Sequence, residues 1–333
     1  PAMIKKIPIS KKEGFSLQIA FRKVPFSEAQ RRALDEACRT QGLSPTWFSE
    51  EEALTWEVLR PFSALLGYFP PALLKNLPAL QWVQLPCAGA ERYCGAVGEH
   101  VVLTNASGAF NTAIAEYLLL GLLALYRDLP GYFQNQRARI WKPLGPARTV
   151  AGSTVPVIGC GEIGRTFAQK AAALGARVAG IHRGEAPLPA PFVRTYTQAD
   201  LPRALAGADA CVLCLPATEE TRGFFSEAAF RAMRPGAVLL NCGRGSTVDE
   251  AALVKALESG RLSGAVLDVF EKEPLPKDSP LWGMPNVVLT PHISGRDGDP
   301  CNAPEIFAIF RENLTRFAEG RPLTHIVDKA RGY

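Results

Sequence analysis

Three residues late in the chain have side chains that could do chemistry together: Arg244, Glu273 and His292. They sit in Asn241-Cys242-Gly243-Arg244-Gly245, Glu271-Lys272-Glu273-Pro274 and Thr290-Pro291-His292-Ile293-Ser294-Gly295. A guanidinium is a planar fork that grips a carboxylate through two hydrogen bonds, which a lysine cannot reproduce. An imidazole can give a proton to a carbonyl oxygen, and a carboxylate on its other ring nitrogen favours the charged form that has a proton to give. Cation, proton donor and carboxylate beside a hydride-carrying cofactor are the parts needed to reduce a 2-oxo acid. Each residue alone has a plainer reading: a surface ion pair for Arg244, a turn before proline for Glu273, a capping side chain for His292. Jointly those plainer readings require three coincidences beside one nucleotide site.

The nucleotide site is the glycine run Gly159-Cys160-Gly161-Glu162-Ile163-Gly164. It follows the apolar strand candidate Thr154-Val155-Pro156-Val157-Ile158 and leads into a helical pattern over Thr166 to Leu174. In that context the first glycine permits a tight turn, the second lets backbone approach a pyrophosphate, and the third permits close helix–strand packing. The amides of Glu162 and Ile163 then face the phosphates at a helix N-terminus. The next strand, Arg177-Val178-Ala179-Gly180-Ile181, ends in His182-Arg183-Gly184. Folds that bind NAD usually carry an acidic residue there for the ribose hydroxyls. A cationic His182-Arg183 suits a 2′-phosphate, so NADP is expected over NAD, with Glu185 able to serve an NAD ribose if the turn runs longer. An exposed loop ahead of Pro187 and Pro189 is the plainer alternative.

The elements that must position these residues alternate. Strand candidates at Ser16–Phe21, Leu65–Phe69 and Leu80–Gln84 are interleaved with helical patterns, the first opening at Ser27 with Gln30 three residues on, the spacing of a capping box. A long helix is expected from about Asn111 to Tyr126, then a second α/β series with strands ending near Leu215, Leu240 and Asp268, and an amphipathic helix over Ala303 to Phe317. Alternation of this kind argues for parallel sheets covered by helices. The expected fold is therefore α/β, two doubly wound Rossmann-like or flavodoxin-like domains. A dinucleotide-binding domain over 107–295 interrupts a substrate domain formed by 1–106 and 296–333.

At 333 residues, with 47% hydrophobic and 21% charged residues, the chain matches an ordinary globular protein. Its formal charge of +5 is partly local, since Lys5, Lys6, Lys11 and Lys12 crowd the start. That run reads as a solvated edge rather than a nucleic-acid surface, and the basic balance suits an anionic cofactor and substrate. Eight cysteines lack the spacing of a disulfide framework. Cys211 and Cys214 lie three apart on a strand, facing opposite sides, so no metal is expected there. Reduced thiols and the lack of a secretory leader pattern point to the cytoplasm. The apolar run Tyr117–Tyr126 is ten residues, too short for a bilayer, so no membrane association is expected and the segment reads as a buried or interface helix.

Taken together these segments resemble the D-isomer-specific 2-hydroxyacid dehydrogenases over nearly the whole chain, most closely the glyoxylate/hydroxypyruvate reductase branch. The resemblance rests on Thr112-Ala113-Ile114-Ala115-Glu116, the glycine run, Leu215-Pro216-Ala217-Thr218-Glu219-Glu220-Thr221, Asn241-x-x-Arg244-Gly245 and Val248-Asp249-Glu250-x-Ala252-Leu253. It continues through Leu267-Asp268-Val269-Phe270, Glu273-Pro274, Thr290-Pro291-His292 and Ile326-Val327-Asp328. It implies that His292 protonates the substrate oxygen, that Glu273 bonds the other imidazole nitrogen, and that Arg244 holds the 2-oxo carboxylate. Asp268 is similar to the residue that contacts the nicotinamide carboxamide, and Cys242, Gly243 and Arg244 line its ring. Thr112, Leu215, Pro216, Thr221, His292 and Gly295 complete the implied cofactor contacts, and the loop Cys87-Ala88-Gly89-Ala90 is similar to one whose amides, at Ala88 and Gly89, meet the substrate carboxylate. Ala217 departs from the family, which usually has a larger apolar side chain there. The apolar helix around Leu118 to Leu125 is a more continuous stripe than one core face needs and reads as the element of a homodimer, and the resemblance suggests that Trp141 reaches the partner's active site. Two alternatives stay open: a formate dehydrogenase, which needs no proton donor and so sits poorly with Glu273 and His292, and a nucleotide-sensing corepressor on the same fold.

Overall fold

The computed structural model describes residues 17–332. The lysines at 5, 6, 11 and 12, Ser16 of the first strand candidate and Tyr333 lie outside the described residues. The chain divides into two compact units, one running up to Phe110 and resuming at Arg296, the other spanning Asn111–Gly295. The first division falls four residues beyond the expected 106/107 boundary, at the start of the helix Asn111–Tyr126.

The outer unit holds a wholly parallel five-stranded sheet of β1 (Leu17–Arg22), β2 (Leu43–Phe48), β3 (Ala64–Gly67), β4 (Trp82–Gln84) and β5 (Val102–Thr104), in the order β2-β1-β3-β4-β5. That is the flavodoxin-like order. The helix Glu28–Thr40 begins in the expected capping box: Gln30 N–H donates to Ser27 Oγ at 3.3 Å, and Ser27 N–H donates to Gln30 Oε1 at 2.9 Å. The strand β2 has no counterpart among the sequence expectations. It is an edge strand, which is where a strand tolerates a residue such as Pro45 that has no N–H to donate. The last helix, Ala303–Ala318, closes this unit by burying Ile306, Phe310, Leu314 and Phe317, with Phe317 against Trp82 at 5.1 Å between ring centroids.

The inner unit is a seven-stranded parallel sheet. Its strands are β6 (Thr154–Ile158), β7 (Arg177–Ile181), β8 (Arg194–Tyr196), β9 (Ala210–Leu213), β10 (Ala237–Asn241), β11 (Leu262–Leu267) and β12 (Val287–Leu289). They are ordered β12-β11-β10-β9-β6-β7-β8. The chain starts in the middle at β6, winds outward through β7 and β8, then returns to β9 and winds the other way. The switch point therefore lies between β6 and β9, and ligands of such sheets bind outside the carboxyl ends of the strands at that point. The helix Asn111–Tyr126 lies directly on β11: a Cβ at Gly121 would sit 2.6 Å from Val266 Cγ1. Among the described residues no helix is long and apolar enough to cross a membrane.

Candidate active site

The glycine loop leaves β6 at the switch point, and its three glycines answer to different demands. Gly159 has φ +93°, and a Cβ there would lie 2.6 Å from the Cys214 carbonyl oxygen, so only glycine fits the turn. A Cβ at Gly164 would overlap the Gly159 carbonyl oxygen and approach Val157 to 3.0 Å, so helix and strand meet backbone to backbone. Gly161 is different. It precedes the helix Glu162–Ala173 with extended backbone and no side-chain cap, and a Cβ there would meet nothing within 4 Å. The protein's own packing does not need glycine at 161, whereas a close-lying ligand would. An uncapped helix start with a bare backbone turn fits a dinucleotide pyrophosphate, held by the amides that follow Gly161.

Two more loops flank this one. After β9, Leu215 and Pro216 lead into a turn locked by two threonines: Thr218 N–H donates to Thr221 Oγ1 at 2.9 Å, Thr221 N–H to Thr218 Oγ1 at 3.2 Å, and Thr221 Oγ1 to the Pro216 carbonyl at 2.6 Å. After β7, His182 folds into its own turn, with Nδ1 accepting from Gly184 N–H at 3.3 Å and Nε2 donating to the Ala186 carbonyl at 3.1 Å. Both ring nitrogens are thus engaged locally, whereas Arg183 reaches across to the loop after β9, its guanidinium 3.3 Å from Glu220.

Arg244, Glu273 and His292 follow β10, β11 and β12, three neighbouring strands with a common direction. The loop of Arg244 is fixed through its backbone: its carbonyl accepts from Asn241 Nδ2 at 3.2 Å and from Thr247 Oγ1 at 2.6 Å. A Cβ at Gly245 would overlap the Phe270 carbonyl group, so the loops after β10 and β11 touch. Glu273 uses its two oxygens separately, Oε1 accepting from Phe270 N–H at 3.1 Å and Oε2 meeting His292 Nδ1 at 2.8 Å. With Nδ1 committed to the carboxylate, Nε2 is the nitrogen left to serve a reacting group. The His292 side chain is 49% exposed.

His292 sits at φ +54°, a left-handed conformation that a non-glycine residue holds at a cost of order ~1–3 kcal/mol. The group that imposes it is Asp268. This fully buried carboxylate accepts from Thr290 Oγ1 at 2.6 Å, Ile293 N–H at 2.8 Å and Ser294 N–H at 2.9 Å. Thr290 is in turn met by the Tyr117 hydroxyl at 2.5 Å, and burial pushes that hydroxyl up to about 12. Asp268 is thus the anchor of the His292 turn, a task that motif reading did not assign. Tyr117 and Thr290 join the site only in the folded chain, and the sequence hint is a hydroxyl at the head of an apolar run.

Three thiols collect at the same strand ends. Cys242 is held well above the ordinary thiol range by its hydrogen bond with Cys214 and by burial, and burial pushes Cys160 up to about 12. Protonated thiols of this kind line a site without attacking anything. Cys211 points into the core, so the Cys211–Cys214 pair faces two ways. Among the described residues, no group of three or more His, Cys, Asp or Glu side chains could hold a metal ion.

In the outer unit the loop after β4 is tied down carbonyl by carbonyl. Ala106 N–H donates to the Cys87 carbonyl at 2.9 Å, Asn105 Nδ2 to the Ala88 carbonyl at 2.7 Å, and the Cys87 thiol to the Gly89 carbonyl at 3.1 Å. In a trans peptide the N–H points opposite to the C=O, so the amides of Ala88 and Gly89 face away from these anchors. Two successive amides of this kind are donors that could meet an anion.

Residues 119–294 match the family model for the NAD-binding domain of the D-isomer specific 2-hydroxyacid dehydrogenases. The chain is 31% identical over 282 residues to glyoxylate/hydroxypyruvate reductase A of Salmonella typhi, which covers 82% of this chain and 88% of that protein. Among solved structures it resembles a D-isomer specific 2-hydroxyacid dehydrogenase family protein from Aeromonas salmonicida, at 34% identity and TM-score 0.82 over 94% of this chain and all of that one. It also resembles an NADPH-dependent glyoxylate/hydroxypyruvate reductase from Sinorhizobium meliloti in complex with NADP and sulfate, at 29% identity and TM-score 0.78, covering 96% of this chain and all of that one. The chain belongs to the D-isomer specific 2-hydroxyacid dehydrogenase family. It is an oxidoreductase with that family's dinucleotide-binding domain, and reduction of a 2-oxo acid is the activity these likenesses support.

Proposed function

We propose that this chain reduces a small 2-oxo acid of the glyoxylate or hydroxypyruvate type to the D-2-hydroxy acid, with NADPH preferred over NADH. The observation that carries the reading is the Glu273–His292 pair at 2.8 Å, set by a turn that buried Asp268 holds in a left-handed conformation. A bound nicotinamide supplies hydride to the carbonyl carbon. His292 donates the Nε2 proton to the carbonyl oxygen as negative charge grows there, while Nδ1–H stays on Glu273. Arg244 binds the substrate carboxylate through its guanidinium, while the amides of Ala88 and Gly89 are assigned to an anion by the family resemblance. After turnover the half-exposed His292 recovers its proton from solvent. Gly159, Gly161, Glu162, Ile163 and Gly164 form the pyrophosphate turn, and Arg183 takes the 2′-phosphate with His182 shaping its loop. Thr112, Leu215, Pro216, Thr221, Cys242, Gly243 and Gly295 complete the cofactor side, while buried Asp268 acts on it through the His292 turn.

The same reading includes a homodimer and no nucleic-acid partner, and eight free thiols suit the reducing cytoplasm. A dimer is supported by apolar surface that water disfavours: Leu120 is 65% exposed, Phe133 and Ile140 are more than half exposed, and Trp141 is fully exposed beside a groove of about 610 Å³. A particle of one 36.0 kDa chain in solution would remove that part of the proposal.

One assay tests the whole: NADPH and NADH oxidation followed with glyoxylate and with hydroxypyruvate. Turnover of both acids with a higher kcat/KM for NADPH is the expected result. A clear NADH preference ends the cofactor half. Binding of dinucleotide with no turnover of either acid ends the substrate half.

A further inference from the structure

We propose that Glu220 is the second half of the cofactor selector, a built-in competitor for the cation that reads the 2′-phosphate. The inference rests on the reading of this site as NADPH-binding and adds a residue to it. Arg183 stands two residues beyond β7, Glu220 stands in the loop after β9, and in the sheet β6 lies between those two strands. Their contact at 3.3 Å therefore joins the two loops that flank the glycine loop, at the end where the adenosine ribose belongs. Glu220 does not reach there from a loose loop. The reciprocal Thr218–Thr221 hydrogen bonds and the bond from Thr221 to the Pro216 carbonyl fix the backbone on either side of it, and Thr221 itself is buried. Both charged side chains are more than half exposed, so the pair is weak and exchangeable, as a selector must be.

The consequences differ for the two cofactors. A 2′-phosphate must displace Glu220 from Arg183 and remain beside a carboxylate of like charge. A ribose that carries only hydroxyls meets no repulsion and finds in Glu220 a hydrogen-bond acceptor. Glu220 thus does at the β9 loop what an acidic residue at the end of the second strand does in NAD-binding folds, and it narrows the preference for NADPH that Arg183 creates.

The test reads binding and not turnover: calorimetric titration of the apo protein with 2′,5′-ADP and with 5′-AMP, which differ only by the 2′-phosphate. For the ratio of the two dissociation constants, Arg183→Gln should cut the preference for 2′,5′-ADP by about tenfold or more, the loss expected of a charge-assisted phosphate contact. Glu220→Gln should raise it by roughly three- to fivefold, the scale of one exposed charge pair. Glu219→Gln removes the same formal charge from the neighbouring position and should leave the ratio nearly unchanged. If Glu220→Gln matches Glu219→Gln while Arg183→Gln still collapses the ratio, the role of Glu220 is overturned and the NADPH reading stands. If Arg183→Gln leaves the ratio unchanged, both fall.

Discussion

The two ends of the dinucleotide crevice are built to opposite standards. At the reacting end a fully buried carboxylate, Asp268, accepts three hydrogen bonds and forces His292 into a strained turn, with Thr290 and Tyr117 stacked behind it. At the adenosine end Arg183 and Glu220 meet directly at 3.3 Å, each more than half exposed to solvent. Proton transfer tolerates little error in position, so the acid is locked by groups shielded from solvent. Choosing between a phosphate and a hydroxyl needs only charge, and exposed charge is weak and easily altered by single substitutions. On the proposed function, then, the proton-transfer end is rigidly specified while the choice of cofactor is left adjustable.

That contrast can be broken by substitution, starting with the acid itself. His292→Gln keeps a hydrogen-bonding side chain but has no proton to donate. It should lower kcat by about 10²–10⁴-fold with little change in dinucleotide affinity, and near-normal turnover would defeat its role. Next, Asp268→Asn places an amide where three donors converge, and should cost about 2–3 kcal/mol of stability, the scale of hydrogen bonds to a buried charge. A fall in Tm together with kcat is expected, and an unchanged Tm would show that the turn is held by something else. The smallest effect belongs to the glycine loop. Gly161→Ala meets open space and should leave Tm within about 2 °C, a change of under ~1 kcal/mol, while weakening dinucleotide binding. Equal loss of stability in Gly161→Ala and Gly164→Ala would erase the distinction drawn between them.

Much of the fold was legible because its signals are local. The capping box at Ser27 and Gln30, the apolar helix Asn111–Tyr126 and the strand–glycine–helix unit around Gly159 each depend on residues within a few positions of one another. The short strands β8 and β12, three residues each, carry too little pattern to stand out. The strand β2 hid behind Pro45, which reads against a strand until its edge position is known. Within the candidate site, the residue types pointed to an acid and its carboxylate partner, which the fold brings together across nineteen residues. Nothing in the chain announced that Tyr117 lies behind Thr290, 173 positions away, or that Arg183 meets Glu220, 37 positions away.

The order of residues along the chain already carries the chemistry on offer: a glycine turn fit for phosphates, a cation at the second strand end, and a guanidinium, a carboxylate and an imidazole in fixed order. Those follow from residue type and short spacing, which the chain carries wherever it goes. Tertiary structure decided which of them are held and which are left adjustable. Parallel strands about 4.8 Å apart set the loops of one sheet end side by side irrespective of their distance along the chain. Only that convergence makes Asp268 the anchor of the His292 turn, ties the Ala88 carbonyl to Asn105, and gives Arg183 an acidic neighbour in Glu220.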